Sequence, residues 1–263
     1  MKRRNHWQMQ IFCICLVYLT QILPLQAENL DAANKTHQLA PNVHIAYLVP
    51  SDKHFRNKNR VAVKHAIRNV EAWYQDEMDG KTFRLSHPVV QIVRTSHTAD
   101  WYRASAVNGA DPSLWFWLNA LTDGFNATGG QFNDPNHRWV FYIDADVACG
   151  QVIGAAAGVA LLAANDLRGL TGRKNVPACP GEPPDTAGVC RWVGGLGHEL
   201  GHAFDLPHPD PCPGGADDAA LMCLGYITYP DTYLRLEDKD ILNASPFFSW
   251  QRPRRLAGKC RLD

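Results

Sequence analysis

The sequence predicts an α+β fold, and three observations support this prediction. Short apolar runs typical of buried strands alternate with helical repeats in the first half of the chain. Residues 171–189 then carry Gly, Pro and Cys without periodicity, which is typical of a loop. Helix and loop patterns follow to the end. We therefore expect a twisted mixed sheet, followed by a mostly irregular and helical C-terminal part.

Four segments are predicted to be extended. Residues 43–49, 89–93 and 139–143 are apolar runs of strand length, and Pro50 ends the first of them. Residues 150–164 are rich in Gly and Ala. Their glycines favour an extended stretch that another backbone approaches closely, although simple packing of small residues explains the composition equally well.

Two segments show the spacing of an amphipathic helix, and residues 237–244 are a third helical candidate. Apolar residues recur every three or four positions in both segments, so they line one face. Gly80 lies just beyond the first helix, while Asp111 and Pro112 are predicted to cap and start the second. The two repeats are Val63, Ile67, Val70 and Tyr74, and Leu114, Leu118, Leu121 and Phe125.

The N-terminus has the pattern of a secretory signal peptide. Three basic residues, at positions 2–4, precede an apolar run over residues 11–25, and Ala27 provides a small residue for cleavage. The run is shorter than the roughly 20 apolar residues that a membrane span requires, which disfavours the alternative of an uncleaved anchor. We expect residues 1–27 to be a signal peptide and residues 28–263 to be one domain, secreted or periplasmic.

The charge balance excludes some classes of partner. Residues 1–27 hold three basic and no acidic residues, so the mature chain carries 23 basic against 26 acidic residues. A balance this close to neutral gives no electrostatic reason to expect binding to nucleic acid or to a membrane surface. We expect a monomer that acts on a protein or peptide.

Six cysteines remain after residue 27, and their even number predicts disulfides in an oxidising compartment. The sequence cannot decide among the 15 possible pairings. The sequence neighbours Cys179/Cys190 and Cys212/Cys223 are the pairs to test first, which leaves Cys149/Cys260. A second zinc site is the alternative, but the chain contains no CxxC pair to suggest one.

Residues 198–208, with the sequence HELGHAFDLPH, predict a zinc site. Positions four apart share one face of a helix, so His198 and His202 can present two imidazoles to one metal ion. Pro207 cannot continue the helix, so the chain should turn and bring His208 back as the third ligand. Zinc lowers the pKa of bound water towards about 7, and Glu199 is placed to act as the general base.

This stretch resembles the signature of the metzincin clan of zinc peptidases, HExxHxxGxxH followed by a turn that contains methionine. Asp205 stands where the clan has Gly, at a position that requires a left-handed backbone, which Asp tolerates better than most residues. Asp205 is also an alternative metal ligand if the helix continued, which Pro207 disfavours. The resemblance implies a metzincin-like zincin fold, and it makes Met222 the methionine beneath the metal.

The same resemblance implies an edge strand that binds extended substrate, for which residues 150–164 are the candidate. Tyr226 and Tyr229 follow the candidate methionine turn and are candidates for substrate or transition-state contact. The aspartate pairs Asp144/Asp146 and Asp217/Asp218 are weak candidates for a structural Ca²⁺ site.

These observations predict a secreted zinc-dependent endopeptidase. His198, His202 and His208 would bind one Zn²⁺, and Glu199 would be the catalytic base. Two alternatives remain open: a zinc amidase that acts on cell-wall or small peptides, and a zinc-binding recognition module without catalysis. Glu199 argues against the second alternative, because a structural zinc site needs no base.

Overall fold

A five-stranded mixed sheet lies at the centre of the computed structural model, which describes residues 40–173, 179–180, 188–253 and 260. The strands are β1 (Asn42–Val49), β2 (Lys81–Thr82), β3 (Gln91–Arg94), β4 (His137–Ile143), β5 (Gly154–Ala156), β6 (Val159–Leu162) and β7 (Ser249–Trp250). The large sheet has the order β3-β1-β4-β6-β5, and β2 pairs with β7 in a separate two-stranded ribbon. Only β5 is antiparallel to its neighbour in the large sheet.

Helices cover both faces of the sheet. They are α1 (Asn57–Glu77), α2 (Ala99–Ala104), α3 (Trp115–Thr128), α4 (Ala164–Leu170), α5 (Val189–Ala203) and α6 (Leu236–Ala244). Side chains alternate across β1, so that Ile45 and Tyr47 join the core formed with α1 and α5, while Ala46 and Leu48 join the core formed with α3. Burial of both faces explains why the central strands are continuous apolar runs.

The structure confirms an α+β arrangement and most of the predicted elements, with shifted boundaries. The run at 89–93 becomes a strand only over Gln91–Arg94, where the parallel pairing with β1 begins at Ala46. The predicted cap at Asp111 is present, since its Oδ1 accepts a hydrogen bond from the Ser113 amide at 2.8 Å. It starts a short 3₁₀ turn, Pro112–Leu114, and α3 follows at Trp115.

The segment 150–164 is not one strand, as the sequence suggested, but a hairpin. Its first arm, β5, is the edge of the sheet, and its second arm, β6, is fully buried beside β4. The turn between them places Ala157 and Gly158 at positive φ values of 49° and 81°. The predicted edge strand is therefore present as β5, whereas the buried arm β6 packs mainly through Val159, Leu161 and Leu162 rather than through small residues.

Three disulfides lie in the described part of the chain, and they correct two of the three predicted pairs. Cys212–Cys223 is confirmed, whereas Cys149 bonds to Cys179 and Cys190 to Cys260. The prediction paired cysteines that are close in sequence, but Cys190 lies in the first turn of α5 and its partner is distant in sequence. The fold brings that turn to Cys260, 70 residues further along the chain.

The predicted signal peptide, residues 1–27, lies outside the described residues. Within the described ones, no helix has the length and apolar character needed to cross a membrane. The three disulfides fit a protein of an oxidising, extracellular compartment.

Candidate metal centre and active-site cleft

Helix α5 carries two of the three candidate metal ligands, His198 and His202, and is held in the core by its apolar face. Val193, Leu196 and Leu200 are buried against the sheet and α1. Glycines elsewhere on the helix allow the loop after it to come very close. A Cβ at Gly194 would collide with the main chain of Tyr226, and a Cβ at Gly201 would collide with the sulfur of Met222.

Helix α5 ends in a Schellman motif, and this turn redirects the chain towards the site. The Leu206 amide donates to the Gly201 carbonyl and the Asp205 amide to the His202 carbonyl, at 3.0 and 2.9 Å. Asp205 takes the left-handed conformation, with φ of 70°. The expectation that Asp replaces Gly at such a position is confirmed.

The side chain of Asp205 contacts Arg138 rather than the three histidines. Its Oδ2 accepts a long hydrogen bond of 3.4 Å from Arg138 on β4. The Arg138 guanidinium also lies 4.1 Å from the centre of the Phe247 ring. The alternative of Asp205 as a metal ligand is therefore wrong for this arrangement, in which the three histidines converge without it.

The three imidazoles of His198, His202 and His208 meet through their Nε2 atoms. The distances are 3.2 Å between His198 and His202, 2.9 Å between His202 and His208, and 3.3 Å between His208 and His198. Among the residues that the structure describes, this is the one group of three or more potential metal ligands. These three residues could hold a metal ion.

Main-chain carbonyls fix the orientation of two of the rings. His198 Nδ1 lies 2.7 Å from the Leu221 oxygen and His202 Nδ1 lies 2.8 Å from the Leu206 oxygen. A carbonyl can only accept, so each Nδ1 carries the hydrogen and each Nε2 presents a lone pair to the centre. Burial lowers the pKa of both rings, that of His198 to about 4, which keeps them neutral and able to ligate at neutral pH.

The donor set fits a zinc ion. Tetrahedral zinc with Zn–N bonds of about 2.0–2.1 Å places its nitrogen ligands roughly 3.3–3.4 Å apart, close to the observed separations. The Nε2 lone pairs of His198 and His202 face each other and would repel, and a cation between them removes that repulsion. The hydrogen bonds from Nδ1 to carbonyls are the outer contacts typical of metal-binding histidines.

Glu199 is half-buried beside the three imidazoles. Burial, together with the nearby Asp166 carboxylate, raises the pKa of its carboxyl to about 7 against the opposing effect of Arg191. Gly154 of the edge strand β5 faces this carboxylate, and a Cβ there would lie 3.3 Å from Oε2. The absence of a side chain at Gly154 therefore leaves space next to a carboxyl that can exchange a proton near neutral pH.

Met222 and Tyr226 lie at the site, whereas Tyr229 does not. Met222 is fully buried and its sulfur packs against α5 at Gly201. The Tyr226 ring is 5.0 Å from the His198 ring, centre to centre. Tyr229 is buried and donates to Asn69 Oδ1 at 2.6 Å, so its candidacy for substrate contact is wrong.

The aspartate pairs proposed for Ca²⁺ have protein partners. Asp144 accepts from Tyr47, Asp146 pairs with Arg168, and Asp217 accepts from Tyr233. Asp218 accepts from the amides of the Gly214 loop. Across the described ranges, neither pair joins a third His, Cys, Asp or Glu close enough to share an ion. The structure thus gives no support to a calcium site there.

Sequence reasoning missed a polar pocket next to Glu199. Asn165 and Asp166 of α4 and Arg191 of α5 line it, together with Tyr226 and β6. Asp166 is buried, which raises its carboxyl pKa to about 6, and its Oδ2 accepts from the Ala163 amide at 3.2 Å. No motif spacing links α4 to α5, so only the fold could bring these residues together.

Comparison with known proteins gives a likeness in fold. No family model matches the chain, and no curated protein matches it in sequence. A crystal structure of catalytically inactive OgpA from Akkermansia muciniphila, in complex with an O-glycopeptide (glycodrosocin) substrate, has a TM-score of 0.53 at 17% identity. The match covers 81% of this chain and 62% of the OgpA chain.

The structure of wild-type OgpA gives a similar result. Its TM-score is 0.52 at 19% identity, with 82% of this chain and 63% of the OgpA chain covered. This chain therefore spans less than two thirds of the length of the OgpA chains. Both comparisons show that the two proteins share a fold.

Proposed function

We propose that this chain is a secreted zinc-dependent endopeptidase, in which His198, His202 and His208 bind zinc and Glu199 is the general base. The observation that carries the proposal is the convergence of three imidazole nitrogens within 3.3 Å of one another, beside Glu199. A purely structural zinc site usually closes its fourth position with protein. Among the described residues only these three histidines could share the ion, and His198 and Glu199 line the same pocket, so a fourth position would be left for water or substrate.

A zinc ion bound by these histidines would polarise the scissile carbonyl and lower the pKa of a water molecule to about 7. Glu199 accepts a proton from the attacking water as its oxygen bonds to the carbonyl carbon. Glu199 then returns the proton to the nitrogen as the C–N bond breaks. A carboxyl whose pKa burial raises to about 7 is matched to both steps.

The substrate in this proposal is an extended peptide. Strand β5 is the edge of the sheet and Gly154 faces Glu199, so a peptide that pairs with β5 would pass the proposed base. The likeness in fold to OgpA, whose structure holds an O-glycopeptide substrate, adds O-glycosylated peptides to the substrates that need testing.

The deciding experiment compares plain and O-glycosylated peptide libraries with purified protein of known metal content. We expect one zinc per chain and cleavage that a chelator abolishes. Glu199→Gln should lower kcat by about a thousand-fold while the zinc content stays the same, because only the proton-transfer group is lost.

Glu237→Gln is the matched control, since Glu237 is exposed on α6. It should leave kcat unchanged. Zinc binding without cleavage of any peptide would favour the recognition module, and cleavage of cell-wall peptides alone would favour the amidase. Full activity in Glu199→Gln would contradict the assigned base.

A further inference from the structure

A pocket of about 140 Å³ opens beside Glu199. Its walls are β6, the N-terminal half of α5, the first turn of α4 and the Tyr226 ring. A cavity of about 150 Å³ can hold a benzene ring. The pocket is therefore large enough for one substrate side chain of about six heavy atoms.

Asn165, the second residue of α4, contributes a carboxamide to this wall that makes no hydrogen bond to any described residue. Its Oδ1 is shielded from solvent and has no partner. Such a group is unfavourable, because a buried polar atom normally finds a partner. Rotation about the terminal torsion exchanges the oxygen and nitrogen, so the amide can offer either an acceptor or a donor to the pocket.

The charged groups of the pocket have both signs. Asp166 and Glu199 supply carboxylates, and Arg191 supplies a guanidinium that lies 4.2 Å from the Trp192 ring centre and 5.0 Å from that of Tyr226. A cationic substrate group would be repelled by Arg191 but attracted by the carboxylates, and for an anionic group the reverse holds, so neither sign of charge is favoured without an opposing repulsion. A neutral group avoids both repulsions.

We propose that Asn165 is a specificity-determining residue, and that this pocket accepts a neutral polar group, which hydrogen-bonds to the Asn165 carboxamide, from the substrate residue beside the scissile bond. An amide side chain fits the pocket whole, whereas the sugar of a glycosylated residue is larger than the pocket and could insert only one hydroxyl group. An aliphatic side chain would leave the carboxamide without a partner and exclude the water that could serve it. This inference rests on the proposed peptidase function.

The test is a peptide library that varies the residues on both sides of the scissile bond. Its arms contain glutamine, O-glycosylated threonine, leucine, lysine or glutamate. We expect the wild-type protein to cleave the glutamine or the glycosylated peptides at least about ten-fold faster, as kcat/KM, than the leucine, lysine and glutamate peptides. The faster of the two preferred arms identifies the source of the hydrogen bond.

Asn165→Leu should reverse this preference, lowering kcat/KM for the polar substrate about ten-fold and raising it for leucine. Asn126→Leu is the matched control, because Asn126 is exposed on α3, outside the pocket lining, and should keep the wild-type preference. The ratio between substrates is informative even if the variant is partly unfolded, since loss of active protein lowers all rates alike.

Two outcomes overturn the inference. Leucine peptides cleaved as fast as the polar ones by wild type would show that the pocket does not select polar groups, and would leave the peptidase proposal intact. An unchanged preference in Asn165→Leu would remove Asn165 from specificity. Failure to cleave every peptide would instead contradict the peptidase function, and the inference with it.

Discussion

The site joins two regions of very different construction. The described residues of the first region, 42–173 and 188–203, hold most of the strands and helices, with α5 at the end. Residues 204–253 run mainly through turns, one short 3₁₀ segment and the small helix α6. Yet the second region supplies His208, Met222 and both carbonyls that orient the other two imidazoles.

The difference separates two requirements of a metal site. The regular region sets where His198 and His202 lie, because helical spacing fixes their distance. The irregular region sets how the rings are turned, because the carbonyls of Leu206 and Leu221 lie on its turns. Each requirement can be tested by perturbing one region at a time.

The largest effect on stability is expected from the disulfide of the irregular region. Replacing Cys212 and Cys223 together by Ser should lower the free energy of unfolding by about 3 kcal/mol, since the unfolded chain is freed from a cross-link between residues 11 positions apart. Zinc affinity should fall with it, because that loop leads into Leu221. Chemical denaturation and zinc competition with a chelator would measure both. Loss of stability with unchanged zinc affinity would break the link between this region and ring orientation.

The next largest effect is the change in stability with pH that comes from the buried carboxyl of Asp166 in the regular region. Burial raises the folded pKa of Asp166 to about 6, while its unperturbed value is 3.8. Between these values the unfolded state binds fewer protons than the folded state, so stability falls as pH rises from about 4 to about 6. The fall should be about 1 to 3 kcal/mol.

Asp166→Asn keeps an acceptor for the Ala163 amide but removes this titration. Urea unfolding of the metal-free protein at pH 4.5 and 6.5 should therefore give a smaller decrease for the variant than for wild type. Equal decreases would mean that the Asp166 carboxylate is better solvated or paired than its burial indicates.

Two glycines of α5 test how tightly the regions fit. Gly201→Ala should destabilise by about 1 to 3 kcal/mol, because its Cβ would collide with Met222. Gly197→Ala places its Cβ at ordinary contact distances of 3.7 to 3.8 Å from Leu221 and Val70. It should stabilise by about 0.5 to 1 kcal/mol through helix propensity. Thermal unfolding of the two variants would measure the difference. Equal changes in Tm would argue against close packing of the methionine turn on α5.

The smallest effect on stability is expected from substitutions of Asp205, which lies where the two regions meet. Asp205→Gly relieves the left-handed strain but loses the exposed ion pair to Arg138, so the two contributions nearly cancel within about 1 kcal/mol. Asp205→Ala keeps the strain and loses the pair, and it should be less stable than Asp205→Gly by about 1 kcal/mol. An alanine variant as stable as the glycine variant would contradict the strained turn.

The sequence predicted the regular region well for physical reasons. Its central strands are buried on both faces and read as apolar runs, and α1 shows its repeat because one face is in the core. The spacing of His198 and His202 predicted their convergence, and Pro207 predicted the turn that returns His208. These are local signals, determined by residues within a few positions of one another.

The features that the sequence did not predict depend on contacts between residues far apart in the chain. Cys190 meets Cys260 only because α5 is docked in the fold. Asn165 and Arg191 share a pocket only because α4 and α5 flank β6. Tyr226 and Tyr229 are three residues apart, and only the path of the turn decides which one faces His198.

The carbonyls of Leu206 and Leu221 affect which amino-acid substitutions such a site tolerates during evolution. Every amino acid brings the same main-chain oxygen, so no single replacement of either leucine deletes the acceptor. The orientation of the His198 and His202 rings therefore depends on the path of the backbone and not on which side chains stand at positions 206 and 221. The side chains around the site can therefore change widely while the imidazole rings keep their orientation. In this way a fold can persist after sequence similarity is no longer recognisable.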